Sequence, residues 1–416
     1  MADVTPTTTE KRNFGVLLTQ GTLYSTGLQL ANVSVVLPFI CAQQGLFWVA
    51  GLIYPAFSVG IVIGNSLSPY VVQHAQHRKH LVVAGTTAAT AALVILSAAA
   101  AASGILVAAA FLTTALLSGL VSGISKVAYS EVISSKLTEE RRPDLVLSQG
   151  ALGAIAAIIT TLMLLPFMAE RDPDHSHLNV LWIGSSVLAA AAIVAVFIGP
   201  VAAARLQARV SFRETYREGV ETARSQSWFR SYVVIQLVFV PVSLGTSFYS
   251  IHASVNHGDT AGSLYVLVIS SSVGLIVGSL FWRYVNRVLG ARGMLVISAL
   301  LGSTAALICV GIEYLQEWHE IFIYGIVFFL ATVANQAIFT STLSWLGAYA
   351  PEQHRATLIG FGALLVAIES TLLGAALGAV AQGAAVIGPI ISILGLNAVA
   401  AAAALLVVPK REQMTV

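Results

Sequence analysis

Charge is what this chain has least of. Asp, Glu, Lys and Arg make up 10% of its 416 residues, against 57% that are hydrophobic. A soluble domain carries about 25% charged residues, so these charges are too few to coat a water-exposed surface of this size. Lipid must solvate much of the outside. Cysteine is nearly absent too. Cys41 and Cys309 are far apart, at or within apolar segments, and form neither a disulfide framework nor a metal site. No phosphate loop, nucleotide fingerprint or nucleophile triad occurs, which argues against an ATP-driven pump without another subunit and against an intramembrane enzyme. Nothing calls for a cofactor or for nucleic acid. A cleavable signal peptide is not expected, because the apolar stretch from Phe14 to Ile40 exceeds an h-region of about 7–15 residues.

What the chain has instead is a succession of long apolar segments. They run over 14–40, 45–72, 80–101, 104–128, 146–168, 178–203, 230–254, 262–286, 293–312, 321–347, 356–381 and 385–408. At roughly 20 apolar residues per span, they predict an all-α membrane protein of about twelve transmembrane helices. Segments this long, without alternation, are not strands of a membrane barrel, which need only about 10 residues.

Lys and Arg favour cytoplasmic loops. With the N-terminus inside, the cytoplasmic segments and helix ends hold 20 of the 21 basic residues, and only Arg171 lies outside. A wrong number of spans would scramble this pattern. The expectation is a multi-pass protein of the cell membrane with both termini cytoplasmic.

The longest cytoplasmic connection runs from about Arg205 to Arg230. Within it Phe212, Tyr216 and Val220 recur every four residues among Arg213, Glu214, Arg217, Glu218 and Glu221. That spacing predicts a short amphipathic helix at the inner membrane surface, the alternative being a solvated linker. Either way the chain divides into a six-helix bundle over 1–204, a linker over 205–229 and a second six-helix bundle over 230–416.

The halves repeat. GIVIGNSLSPYV at 60–71 aligns with GLIVGSLFWRYV at 274–285, an offset of 214 that pairs Gly60 with Gly274, Gly64 with Gly278 and Tyr70 with Tyr284. Arg78 then meets Arg292. After the fourth span of each half, Glu139, Arg142 and Leu145 align with Glu352, Arg355 and Leu358 at an offset of 213. A parallel repeat of six spans is what the two halves of major facilitator transporters show.

The chain resembles the major facilitator superfamily over nearly its whole length. Within it the closest likeness is to the macrolide-efflux and enterobactin-exporter branch, carried by SFRETYREGVETARSQSWFRS at 211–231 and by the stretch from Arg355 through Gly360 to Gly374. The resemblance implies two pseudo-symmetric bundles that alternate access to a midplane site, lined by the first, fourth, seventh and tenth spans. The chain also departs from the family. GNSLSPYVVQHAQHRKH at 64–80 keeps the glycine and the basic pair Arg78 and Lys79 of the family's loop motif but lacks its Asp. The charge-relay role usually assigned to that Asp has no residue to carry it. The fifth span, SQGALGAIAAIITTL, lacks the Gly-Pro of exporters.

Polar stripes lie on the spans that the resemblance assigns to the cavity. Thr114, Ser118, Ser122 and Lys126 recur every four residues, as do Thr332, Gln336, Thr340 and Ser344. Four-residue spacing keeps side chains on one side of a helix. They are candidates either for the cavity wall or for interhelical packing. Gln20 and Tyr24 in the first span, Gln236, Ser243, Thr246 and Tyr249 in the seventh, and Asn335 beside the tenth-span stripe are further candidates. Gln149 sits near the start of the fifth span. Uncharged groups beside apolar wall suit a neutral or amphipathic small molecule.

Glu369 lies about 14 residues, or roughly 21 Å, into the eleventh span. A charged carboxylate there is costly, so this residue is expected to hold a proton at rest and to carry the proton couple. At an offset of 213 its equivalent is Ala156, so the repeat does not require an acid there. Lys126 can snorkel to the cytoplasmic interface, and with Glu131, Arg78 and Arg292 it is expected to form a cytoplasmic gate. His74, His77 and His80, and the set Asp172, Asp174, His175 and His177, could bind a metal. Both are read as solvated loop residues, away from the transport path.

The expected function is proton-coupled export of a small amphipathic molecule such as a drug or siderophore. Uptake of a neutral nutrient is the alternative within the fold, and a membrane sensor or scaffold that moves nothing is the alternative outside it. The expected partners are that substrate, protons and the bilayer, and nothing demands more than a monomer.

Overall fold

The computed structural model describes residues 8–103, 106–138, 141–169, 176–201, 217, 220–222, 224–258, 260, 262–315, 320–349, 352–383 and 386–408. Thirteen α-helices follow one another: α1 (Thr8–Leu30), α2 (Val36–Gln43), α3 (Phe47–Ala75), α4 (Lys79–Ser103), α5 (Val107–Lys136), α6 (Arg141–Ala169), α7 (Asn179–Val196), α8 (Ser227–Val238), α9 (Val240–His257), α10 (Ser263–Tyr314), α11 (Ile321–Tyr349), α12 (Glu352–Gly383) and α13 (Ile387–Val407). Single 3₁₀ turns at Gln76–Arg78 and Ser176–Leu178 lead into α4 and α7. No strand occurs among the described residues. Ten of the described segments are long and apolar enough to cross a membrane. One of them, α10, has 52 residues. At about 1.5 Å per residue it is more than twice as long as a hydrocarbon layer of about 30 Å. The protein is thus a multi-pass membrane protein with about ten to twelve apolar helices.

Two departures from the sequence-predicted spans have local causes. The span expected over 14–40 is broken at residues 31–35, between α1 and α2. Asn32 holds the break: its side-chain oxygen accepts the Ser34 N–H at 2.8 Å, and its carbonyl accepts the N–H groups of Val35, Val36 and Leu37. Such local bonding gives the backbone an alternative to the helix ladder. The span expected over 230–254 is broken at Phe239, between α8 and α9. Pro241, in the first turn of α9, has no N–H to give the Leu237 carbonyl. The spans expected over 262–286 and 293–312 correspond to two helical stretches of α10, separated by a non-helical kink at Gly290. That residue has φ 65° and ψ −168°, a conformation essentially confined to glycine.

We group α1–α7 and α8–α13 by chain order; across the two sets α12 packs most strongly on α3. The strongest packing within the first is α3 on α5, and its counterpart in the second is α10 on α11. Glycine permits the first crossing. A Cβ on Gly60 would lie 2.0 Å from the Leu116 carbonyl oxygen, one on Gly64 2.0 Å from that of Leu120, and one on Gly119 2.0 Å from that of Phe57. Small residues let helix backbones approach this closely where lipid leaves no hydrophobic drive between helices. The repeat equivalents use the same faces with more room: a Cβ on Gly274 would lie 3.0 Å from the Phe329 oxygen, and one on Gly278 2.7 Å from Gln336 Oε1.

We call the end of the bundle where α1 begins the near end. Arg141 lies over the Phe14 ring there, and Val201 donates to the His77 carbonyl at 3.0 Å. At the near end each group has its own core. Leu17, Val72, Val83, Val132 and Leu145 belong to one, and Phe229, Tyr232, Trp345, Phe361 and Ala404 to the other. At the far end a single core takes residues from both, including Leu37, Phe39, Ile53, Phe248, Ile251, Leu267 and Ile390. Among the described residues, the apolar core shared by both halves lies at the far end.

Polar contacts also join the halves there. Ser250 Oγ donates to the Val35 carbonyl at 2.5 Å, Ser254 Oγ to that of Phe39 at 2.9 Å, and Gln43 Nε2 to that of Gly258 at 2.7 Å. Gln382 of α12 accepts the Trp48 N–H at 3.2 Å and donates to the Gly45 carbonyl at 3.3 Å. The outer parts of α3 and α12 cross at glycine, since a Cβ on Gly374 would lie 2.8 Å from the Gly51 oxygen.

Candidate functional site between the two halves

Tyr24 of α1 is half-buried and lies near Ser122 on α5. On the other side, Asn335 Nδ2 of α11 donates to Thr246 Oγ1 of α9 at 3.0 Å. Tyr54 of α3 lies near Ser58 on its own helix and near Ser243 on α9. These residues are uncharged, and Tyr54, Ser58, Ser122, Ser243 and Asn335 are all half-buried. They form a set of hydrogen-bond donors and acceptors where α1, α3, α5, α9 and α11 converge. Tyr54 and Ser58 were not singled out from sequence, because attention to the first, fourth, seventh and tenth spans passed over α3.

The other sequence candidates have other neighbours. Gln20 is buried on α1. Thr114 donates to the Leu93 carbonyl of α4 at 2.9 Å, and Ser118 is buried, its hydroxyl without a partner among the described residues. Tyr249 is buried and donates to the Gly302 carbonyl of α10 at 3.2 Å. Gln236 Nε2 donates to Tyr232 Oη at 3.1 Å. Gln336 Nε2 donates to the Leu275 carbonyl at 3.1 Å, and Thr332 meets α10 at Gly274. Thr340 is exposed, and its hydroxyl returns to the Gln336 carbonyl at 3.0 Å. The Ser344 side chain lies outside the described residues.

Gln149 of α6 is buried and ties three helices of the first group. Its Nε2 donates to the Leu17 carbonyl at 2.8 Å and meets Tyr129 Oη at 2.5 Å. Glu369 is half-buried on α12, and its Oε2 is shielded from solvent without a hydrogen-bond partner among the described residues.

The expected gate residues lie toward the near end. Glu131 pairs with Lys79, which is almost fully buried at the start of α4. Arg292 donates to the Leu405 carbonyl. Arg78 and Lys126 are exposed. His77 bonds the Val201 carbonyl at 3.0 Å and His74 that of Tyr70 at 2.8 Å. Among the described residues no three His, Cys, Asp or Glu side chains group as a metal site. Asp172, Asp174, His175 and the linker residues Arg205–Tyr216 lie outside the described residues.

No family profile matches the chain. It is 46% identical over 394 residues to the uncharacterised protein Rv2209 of Mycobacterium tuberculosis, covering 94% of this chain and 76% of that protein. The uncharacterised protein Mb2232 of Mycobacterium bovis matches to the same extent. The chain belongs to the family of these mycobacterial proteins.

Among solved structures, the chain is similar to the nucleoside transporter NupG, with TM-score 0.70 and 12% identity over 96% of this chain and 98% of that one. It is similar to a POT family transporter in complex with 5-aminolevulinic acid, with TM-score 0.68 and 13% identity over 97% of each chain. A bacterial homologue of the human lysosomal transporter Spinster, in an inward-facing and unoccupied conformation, matches with TM-score 0.61 and 11% identity over 97% of this chain and 98% of that one. At such identities the likeness is one of fold. The fold is that of these transporters.

Proposed function

We propose that this protein is a secondary active transporter that moves a small neutral or amphipathic molecule by alternating access. Its bundles would be twelve spans in two sixes, with α1 and α2 forming one span, α8 and α9 another, and α10 two. Both termini would be cytoplasmic in the cell membrane. The observation that carries this reading is the division of the core: one core shared by both halves lies at the far end, while the cores toward the near end each draw on one half alone. A protein sealed at one end, with uncharged hydrogen-bonding side chains where its halves meet, has the plan of an alternating-access carrier.

Glu369 is the proposed proton carrier. A carboxyl oxygen shielded from solvent and without a partner is far more stable neutral than charged. It can release its proton only when water or a partner reaches it. The proposed direction is export of a molecule such as a drug or siderophore. A second reading, uptake of a neutral polar nutrient, is favoured by the same uncharged set of Tyr24, Tyr54, Ser122, Ser243, Thr246 and Asn335.

A thermal-shift screen of the purified full-length protein tests the substrate class. Neutral or amphipathic compounds should raise the melting temperature, since a ligand at 100 times its Kd stabilises by about 2.7 kcal/mol. Stabilisation by dicarboxylates or phosphate esters alone would overturn it. Accumulation of a hit in inside-out against right-side-out vesicles then separates export from uptake.

A further inference from the structure

The far end of the second bundle holds a buried histidine with no role in the function proposed above. His252 of α9 has a side chain only 2% exposed. Its Nε2 lies 3.2 Å from Glu313 Oε2 near the end of α10, and its Nδ1 lies 2.5 Å from Tyr324 Oη on α11. Asn256 Nδ2, one turn along α9, donates to the same phenol oxygen at 2.8 Å. Glu313 keeps 39% of its side chain exposed. A line of hydrogen bonds therefore runs from solvent at the far end, through Glu313, to a ring enclosed by three helices.

The repeat shows that the fold does not demand this arrangement. At offsets of 213 to 215, Glu313 falls on Ala98, Ala99 or Ala100, and Tyr324 on Ala109, Ala110 or Phe111. His252 falls on Leu37, Pro38 or Phe39. The first bundle fills the same place with apolar side chains and still packs. A buried titratable ring that only one half carries is a liability unless it is used.

We propose that His252, held between Glu313 and Tyr324, is a proton-binding site loaded from the far end and separate from Glu369. The neutral ring has one donor and one acceptor, whereas the charged ring has two donors. With the ring proton on Nδ1 and donated to Tyr324 Oη, Nε2 turns its lone pair to Glu313. A proton arriving on that carboxyl crosses to Nε2. The O–H bond breaks, the N–H bond forms, and the imidazolium is left against the carboxylate. The phenol oxygen has two lone pairs, one for Asn256 and one for Nδ1, so no hydrogen bond at the ring is lost.

The titratable groups about the ring and its phenol partner, among the described residues, are Glu313 and Cys309 from α10, Tyr324 from α11 and His257 from α9 itself. Glu313 is the one acid among them. Asp259, Glu317 and His319 lie outside the described residues. The site also has a place in the machinery. Ser250 and Ser254, which hold α9 to the first bundle, are two residues to either side of His252. Two residues turn a helix by about 200°, so His252 stands on the back of the helix whose front seals the far end.

Histidine-selective isotope labelling and NMR of the full-length protein in nanodiscs test the site. His252→Gln identifies its signal among the nine histidines. The expected result is a His252 ring that changes from neutral to charged as pH is lowered from about 8 to about 5. Glu313→Gln should lower its proton affinity at least tenfold, about one pH unit, by removing the opposite charge. Glu369→Gln should leave the titration in place, which keeps this site distinct from the proposed coupling residue. A ring that stays in one form across that range overturns the proposal, as does a Glu313→Gln midpoint within about 0.3 unit of the parent. If Glu313→Gln does not fold, the titration of the unaltered protein decides.

Discussion

Ser250 donates its hydroxyl proton to the carbonyl oxygen of Val35, a residue 215 positions earlier in the chain. Ser254 and Phe39 stand in the same relation, and so do Gly258 and Gln43, each at a separation of 215. The repeat read from sequence has offsets of 213 and 214. Across a two-fold axis a residue close to the axis meets its own equivalent, and a contact between nearly equivalent positions is what an isologous interface requires. On the proposed two-bundle reading, the seal between α2 and α9 would lie on the pseudo-two-fold axis relating the halves.

Loosening this seal should shift the protein toward a state open at the far end. A hydrogen bond of this kind is worth about 1 kcal/mol net, roughly fivefold in an equilibrium. Ser250→Ala combined with Ser254→Ala should raise the far-open population about 30-fold if the two effects add. Spin labels at Ser103→Cys and Phe322→Cys, exposed positions at the far end of the two halves, report the separation by pulsed electron resonance. An unchanged distance distribution would mean that the serines do not hold the gate.

The crossing of α3 and α5 makes a prediction about stability. A methyl group on Gly60 or Gly119 would sit 2.0 Å from a backbone oxygen that cannot swing away. Gly60→Ala and Gly119→Ala should each destabilise by about 1–3 kcal/mol or more. Gly85→Ala on α4, where a methyl meets nothing within 4 Å, should be neutral or slightly stabilising, since Ala is the better helix former by about 1 kcal/mol. Thermal unfolding of the three variants in one detergent gives the comparison.

These glycines also mark how much could be read beforehand. Gly60, Gly64, Gly274 and Gly278 were visible as a repeat, because close packing leaves a pattern of small residues at fixed spacing. Hydropathy gave the apolar segments for the same reason: burial in lipid acts on every residue of a span. It did not give the breaks at residues 31–35 and Phe239, because single residues decide these and hydropathy averages over them. Asn32 and Pro241 carried the signal. The site was less legible. Thr114 and Gln336 lie on polar stripes, yet one bonds a carbonyl of α4 and the other a carbonyl of α10. A periodic polar face does not say whether it meets water or a neighbouring backbone. Glu313, His252 and Tyr324 come from three helices, and no local spacing joins them.

Glu369 should separate coupling from transport. In proteoliposomes, Glu369→Gln is expected to abolish uphill transport driven by a pH gradient while substrate exchange across the membrane continues. The amide keeps the size and much of the hydrogen bonding of the neutral acid but cannot give up a proton. Equal loss of both activities would point to a structural side chain instead. Full retention of proton-driven accumulation would remove the coupling role.

The ion pair of Lys79 with Glu131 should behave asymmetrically. Lys79 has a side chain 4% exposed, whereas that of Glu131 is 35% exposed. Removing the acid strands an ammonium in a dry place, whereas removing the lysine leaves a carboxylate that water can still reach. Breaking a fully buried pair costs about 3–5 kcal/mol. Solvent at Glu131 screens the interaction, so Glu131→Gln should cost about 2–3 kcal/mol. Lys79→Met should cost less, because a methionine fills much of the lysine stem's space. The double variant should recover most of the loss, since an apolar replacement for a buried pair is often near neutral. A double-mutant cycle in thermal or denaturant unfolding measures the coupling. If Glu131→Gln is as stable as the parent, the pair does not hold α4 to α5, and the acid would be free for the gating role that its place near the end of α5 suggested.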